Sequence, residues 1–245
     1  MRVFLLRKEA GDNGIYTLSE KEKNYLFRVL RLNVNDVFTA KDSKERYYKA
    51  FLFDEGSITL ERTDAPEETL LDGLSSYKGP FIPLTAFISV LKGKKNEMEV
   101  RALTEIGVKR IVLMNTEFVQ TPLSKHQAER LSAIIREAVQ QSGSREPELT
   151  GPVSFEEALR MKEGRLLILH QSTIEKTRTL SEALNDFRED ESVSFMIGPE
   201  GGFSDRECIA AMDRGAVPVL LNTNILRAET AAIYTASAIQ ALLQN

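Results

Sequence analysis

The sequence predicts an α/β protein in which a parallel sheet covered by helices follows a small strand-rich module. Three observations carry that expectation. From Leu84 onward, strand-like and helical runs alternate, which is the pattern of a parallel sheet with helices on both faces. Ahead of it, three strand-like runs succeed one another without an intervening helix. Between the two parts, residues 64–80 hold Pro66, Gly73, Ser75, Ser76, Gly79 and Pro80, a linker composition.

Taken in order, Ser19-Glu20-Lys21-Glu22 forms a capping box that opens a short helix running through Val29-Leu30. The strand-like runs Asp36–Ala40, Arg46–Phe53 and Ser57–Arg62 follow, rich in β-branched or aromatic residues. One helix with bunched strands suggests a barrel-like or α+β module over residues 1–72. In residues 73–245 the strands are Leu84–Leu91, Arg110–Asn115, Arg165–His170, Ser192–Ile197 and Val217–Leu221. Helices begin near Lys95, Ser124, Ser154, Thr179 and Ser204. Ser124 with Gln127, Ser154 with Glu157 and Ser204 with Glu207 make capping boxes, each worth about 1 kcal/mol.

No apolar run is long enough to span a bilayer, and the opening Met1-Arg2-Val3-Phe4-Leu5-Leu6-Arg7 is charged too soon for a signal peptide. The single cysteine, Cys208, excludes an internal disulfide framework and suits a reducing compartment, so a cytoplasmic protein is expected. Net charge is −4, yet residues 1–50 carry 11 Lys and Arg against 7 Asp and Glu. A basic leading module could grip phosphates; an uneven solvated surface accounts for the bias equally well. With two histidines, His126 and His170, and one cysteine, no metal site is expected. His170 reads as strand-end packing and Cys208 as a small core residue.

Open parallel sheets bind ligands beyond the C-terminal ends of their strands, and two such ends are chemically unusual. After Val193–Ile197 comes Gly198-Pro199-Glu200-Gly201-Gly202, then the helix capped by Ser204. The glycines let backbone amides approach a ligand without a Cβ in the way. A tight strand-to-helix turn alone would use the same residues. The Gly-Lys-Ser/Thr of a P-loop is absent, and the glycine spacing does not fit a dinucleotide fingerprint. The second end is Leu221-Asn222-Thr223-Asn224-Ile225-Leu226, followed by Arg227-Ala228-Glu229-Thr230 at the start of an apolar last helix. Taken alone, Arg227 and Glu229 fit slightly better as an ion pair and cap that tie down that helix.

Together, "IGPEGGFSDRE" and "LLNTNILRAETAA" resemble the signature of the bacterial ribosomal RNA uridine-N3 methyltransferases of the RsmE family, in the SPOUT superfamily. "FRVLRLNVNDVF", "VLKGKKNEMEVRALTEIGVKRIV" and "REAVQQSGSREPEL" extend the resemblance over essentially the whole chain. It implies a PUA-like N-terminal β-barrel domain that binds RNA (1–72) and a SPOUT methyltransferase domain (73–245) with a deep trefoil knot. S-adenosylmethionine would then be the cofactor, with no metal. Ile197, Gly198, Pro199, Glu200, Gly201, Gly202, Leu221, Asn222, Ile225, Leu226 and Ala231 would bind it, and Arg227 and Glu229 would be catalytic. The implied partners are 16S rRNA of the small ribosomal subunit and a second copy of the chain, with no membrane. The family usually shows Leu-Gly-x-Arg-Ile-Leu-Arg where this chain has Leu221 to Arg227 with Asn222 and Asn224. Asn24-Tyr25 stand where a histidine is common.

Methylation at N3 of a uracil requires alignment, loss of the imide proton, and a cation near O2 or O4. Arg227 is the expected cation, and Glu229 is expected to orient it or assist proton removal. Arg28 and Arg31 in "RVLRL" are candidate phosphate contacts, or ordinary helix-surface arginines. The alternatives are a non-catalytic RNA-binding adaptor that kept the fold, and a different α/β enzyme handling a nucleotide in the same crevice. Binding of S-adenosylmethionine separates them.

Overall fold

The computed structural model describes residues 3–9, 14–44, 46–63, 82–171, 177–188 and 191–243. The expected linker, 64–80, and the boundary between residues 72 and 73 lie outside the described residues. The chain divides into two compact units, Met1–Tyr77 with Gln140–Gly143, and Lys78–Val139 with Ser144–Asn245.

In the first unit, β1 (Phe4–Leu5), β2 (Ile15–Thr17), β3 (Val37–Lys41), β4 (Tyr47–Leu52) and β5 (Ser57–Thr63) form one sheet in the order β1-β3-β4-β5-β2. The β1–β3 pair is parallel and the others antiparallel. In β4, Tyr48, Ala50 and Leu52 are buried while Lys49 is exposed, the two-residue period of a sheet with one covered face. Ser19 and Glu22 make the capping box that opens α1 (Glu20–Lys23). The expected single helix changes character there: a π-helix, Asn24–Val29, follows, with Leu30 N–H bonded to the Tyr25 carbonyl at 2.9 Å. Its buried Leu26 joins Phe4, Phe38, Leu52 and Ile58 in the core.

In the second unit, β6 (Leu84–Ser89), β7 (Arg110–Asn115), β8 (Glu148–Ser154), β9 (Arg165–Leu169), β10 (Val193–Ile197) and β11 (Val217–Val219) make a sheet in the order β11-β9-β10-β6-β7-β8. Every pairing in it is parallel. Its helices are α2 (Lys95–Ile106), α3 (Lys125–Ser142), α4 (Phe155–Arg160), α5 (Leu180–Leu184), α6 (Asp205–Asp213) and α7 (Ala228–Leu243). The strand–helix alternation predicted a parallel sheet, and a parallel sheet forms. Its central strands β6 and β10 are buried along their whole length, as strands covered on both faces must be.

One face of this sheet presents Phe87, Val112, Met114, Leu166, Ile168 and Met196 to Phe155, Leu159, Phe203, Cys208 and Ala211. Each fully buried large side chain contributes roughly 1.5–3 kcal/mol. Burial pushes the Cys208 thiol up to about 11, which suits a core residue and not a nucleophile. On the other side α7 packs on β6, β10 and α2. Ser154–Glu157 and Ser204–Glu207 close capping boxes as expected, Ser124 and Gln127 exchange the same bonds, and Thr179 with Glu182 adds another. No helix among the described residues is long and apolar enough to cross a membrane.

Candidate functional site

The strands β11, β9 and β10 are neighbours, and Leu169 lies level with both Ile197 and Val219. Three chain segments therefore leave the sheet side by side. The loops after β10 and β11 converge on a hollow of about 630 Å³, within the roughly 300–1,000 Å³ typical of small-molecule sites.

The glycine loop makes one wall. Gly202 N–H bonds to the Pro199 carbonyl at 2.9 Å, closing a tight turn, and Gly202 has φ +75°, a conformation glycine adopts without strain. A Cβ on Gly198 would come within 2.9 Å of the Gly202 carbonyl carbon, and one on Gly201 within 3.1 Å of Phe118 Cβ. The loop's backbone thus lies against its own far arm and against Phe118. Glu207 anchors its end: Oε2 accepts from Ser204 N–H at 2.9 Å, and Oε1 accepts from Glu117 N–H at 2.9 Å.

The opposite wall is the segment from Val219 to Ala228, which ends in the first turn of α7, where Ala231 N–H bonds to the Arg227 carbonyl at 2.8 Å. Ile197, Gly198, Pro199, Glu200, Gly201, Gly202, Leu221, Ile225, Leu226 and Ala231 all line the hollow, as does Arg227. Asn222 and Glu229 do not line it. No ion pair joins Arg227 to Glu229 among the described residues; Glu229 is buried, and its Oε2 has no hydrogen-bond partner. Arg28 and Arg31 are exposed in the first unit, Arg28 in the π-helix and Arg31 just beyond it at φ 57°.

Several lining residues were not singled out by the sequence. Lys95 arrives from the start of α2 and meets Glu200, Nζ to Oε1, at 2.6 Å. That bond raises the Lys95 ammonium. Burial pushes the Glu200 carboxyl up, but the Lys95 bond outweighs it and holds the carboxyl below its usual range. Phe203, Asp205 and Thr223 also line the space, as does His170, whose Nε2 lies 3.4 Å from the Phe203 carbonyl. The walls carry both signs of charge, Lys95 and Arg227 against Glu200 and Asp205. Such a lining suits a zwitterion better than a polyanion. No group of three His, Cys, Asp or Glu side chains able to hold a metal occurs among the described residues.

Residues 78–240 match the family model of the RNA methyltransferase domain. Over 231 residues the chain is 30% identical to ribosomal RNA small subunit methyltransferase E of Synechocystis, covering 94% of this chain and 74% of that one. The chain belongs to this methyltransferase family. The small subunit methyltransferase E of Rickettsia conorii is 27% identical over 240 residues, 95% and 91% of the two chains. Among solved structures, a Legionella pneumophila protein described as a methyltransferase, with bound SAM, superposes with a TM-score of 0.77 at 26% identity, covering 98% and 96% of the two chains. The small subunit methyltransferase E of Neisseria gonorrhoeae shares the fold, with a TM-score of 0.78 and 24% identity over 99% and 98%. The hollow fits the family's donor: the glycine turn exposes backbone amides, apolar Leu221, Ile225 and Leu226 offer a surface for a purine, and the mixed charges suit an amino acid moiety.

Proposed function

We propose that this chain transfers a methyl group from S-adenosylmethionine to N3 of one uridine in 16S rRNA of the small ribosomal subunit. One observation carries the reading: the two loops that bear the sequence signature, Ile197–Gly202 and Leu221–Arg227, enclose a single hollow. A non-catalytic adaptor would need no such space.

When bound, the donor supplies an electrophilic methyl group on a positively charged sulfur. Ile197, Gly198, Pro199, Glu200, Gly201, Gly202, Leu221, Ile225, Leu226 and Ala231 hold and orient it, mostly through backbone groups and apolar contact. Asn222 acts on the turn that carries Leu221 and not as a direct contact. Arg227, on the wall and exposed, offsets the negative charge that grows on O2 or O4 as the N3 proton leaves. Glu229 is buried behind that wall and acts through the first turn of α7.

The finer architecture belongs to the same proposal. Residues 1–72 form a PUA-like domain, for which the sheet order β1-β3-β4-β5-β2 is the support, and Arg28 and Arg31 contact RNA phosphates. Residues 73–245 form a SPOUT domain with a trefoil knot. Its support is chain order, since the late segment Leu220–Arg227 lies beside loops that follow earlier strands. The protein works as a cytoplasmic homodimer. Ile225 at 82% exposure, with Leu220, Tyr234 and Leu242 also exposed, presents apolar surface that a second copy would cover. The test is mass mapping of 16S rRNA from a strain lacking the protein. One 3-methyluridine disappears if the proposal holds; an unchanged modification map refutes it.

A further inference from the structure

Behind the wall that bears Arg227, two carboxyl groups are buried across the packed helices α2 and α7. Glu99 on α2 is 1% exposed and Glu229 on α7 is 4% exposed. Asn96 Nδ2 donates to Glu99 Oε2 at 2.7 Å and to the Ser89 carbonyl at 3.0 Å, while its Oδ1 accepts from Leu91 N–H at 2.7 Å. Ser89 Oγ in turn donates to the carbonyl of Ile197, at 3.0 Å, in the wall of the hollow. A continuous polar chain thus runs from Glu99 to the glycine loop. At its other end Glu229 Oε2 has no donor, which is costly for a buried acceptor.

The charged groups around Glu99 are Glu229 of α7, Glu200 of the glycine loop and Lys95 of its own helix. Lys95 is engaged by Glu200, so no cation is left to neutralise two buried carboxylates, and both cannot ionise cheaply. Burial first, then Glu229 and Glu200, push the Glu99 carboxyl up to about 8, against the bond from Asn96 and the charge of Lys95.

We propose that Glu99 is a positioning residue for methyl transfer: it keeps its proton at neutral pH, shares it with the orphaned Oε2 of Glu229, and so holds the first turn of α7, with Arg227, in register with the wall at Ile197. The inference rests on the reading of the hollow as the donor site. Its role differs from plain packing because a proton is required, so glutamine, which keeps a donor, substitutes where alanine does not.

The test uses the full chain with its glutamate side chains labelled at the carboxyl carbon, without donor, titrated by NMR. The proposal expects one glutamate to titrate near pH 8 and that signal to be lost in Glu99→Gln. In single-turnover assays on small subunits, Glu99→Ala slows transfer by about 10-fold or more while S-adenosylmethionine affinity stays the same, and Glu99→Gln restores most of the rate. Thermal unfolding verifies that both variants are folded. Every glutamate titrating in the ordinary carboxylate range, or Glu99→Gln as slow as Glu99→Ala, overturns the proposal. Failure of the wild type to bind S-adenosylmethionine would instead overturn the reading of the hollow, a result the carboxyl titration neither produces nor hides.

Discussion

Lys95 Nζ and Glu200 Oε1 stand 2.6 Å apart, joining the start of α2 to the glycine loop 105 residues later in the chain. The side chains are 33% and 34% exposed, so the pair adds at most about 1 kcal/mol to stability. Its effect is local: it restrains the wall of the hollow. Replacing Lys95 by methionine is expected to weaken S-adenosylmethionine binding several-fold while the melting temperature hardly moves. Calorimetric titration and thermal unfolding check the two halves. The Glu200 carboxyl is held low, so the pair is intact above the ordinary carboxylate range and is lost as pH falls through the lowered value. Donor affinity should weaken only in that acid window.

Gly198 cannot carry a side chain without moving Gly202, because an added Cβ meets the Gly202 carbonyl carbon at 2.9 Å. Gly198→Ala is expected to cost roughly 1–3 kcal/mol of local strain and to abolish measurable donor binding, with circular dichroism unchanged. Gly202→Ala meets no atom within 4 Å but must hold φ +75°, at about 1–2 kcal/mol, and should bind more weakly than the wild type but better than Gly198→Ala. The opposite order would contradict the packing described for the turn.

Arg227 lines the hollow and has no ion-pair partner among the described residues. Arg227→Ala should lower the rate of transfer about 100-fold, the scale of a lost transition-state donor, with S-adenosylmethionine affinity nearly unchanged. Single-turnover rates beside calorimetry separate the two effects. A loss of donor binding equal to the loss of rate would make Arg227 a binding residue.

Stability should report the raised Glu99 carboxyl. The folded protein holds that proton up to about pH 8, whereas the unfolded chain releases it near the ordinary glutamate value. The folded state therefore binds more protons between the two, and the stability owed to Glu99 falls as pH rises across that window. Glu99→Gln removes the dependence, so the variant gains on the wild type from pH 5 to 8. Urea unfolding at a series of pH values measures the difference; parallel curves would contradict it.

What was legible in the sequence had local causes. The β7 run Arg110–Asn115 was read to the residue, because a buried apolar strand between a helix stop and a polar loop leaves little freedom. The starts of α4 and α6 were read from their capping boxes, whose bonds span three residues. By contrast β8 escaped notice: it is an edge strand with no buried residue, so Glu148–Ser154 carries no hydrophobic signal. The strands β1 and β2, of two and three residues, are too short to show a period. The site divides the same way. Residues of the two signature loops line the hollow as expected, Asn222 and Glu229 apart. Lys95 and His170 reach it from distant elements, and only the folded topology brings them there.

The central claim is that the two C-terminal turns enclose a methyl donor used on a uracil of the small subunit. It is tested most directly by incubating purified protein with isotopically labelled S-adenosylmethionine and small subunits lacking the modification, then analysing the rRNA nucleosides by mass spectrometry. The account predicts one labelled 3-methyluridine per subunit, absent when Arg227→Ala replaces the wild type over the same interval. Label on another base, or none with donor demonstrably bound, would contradict it.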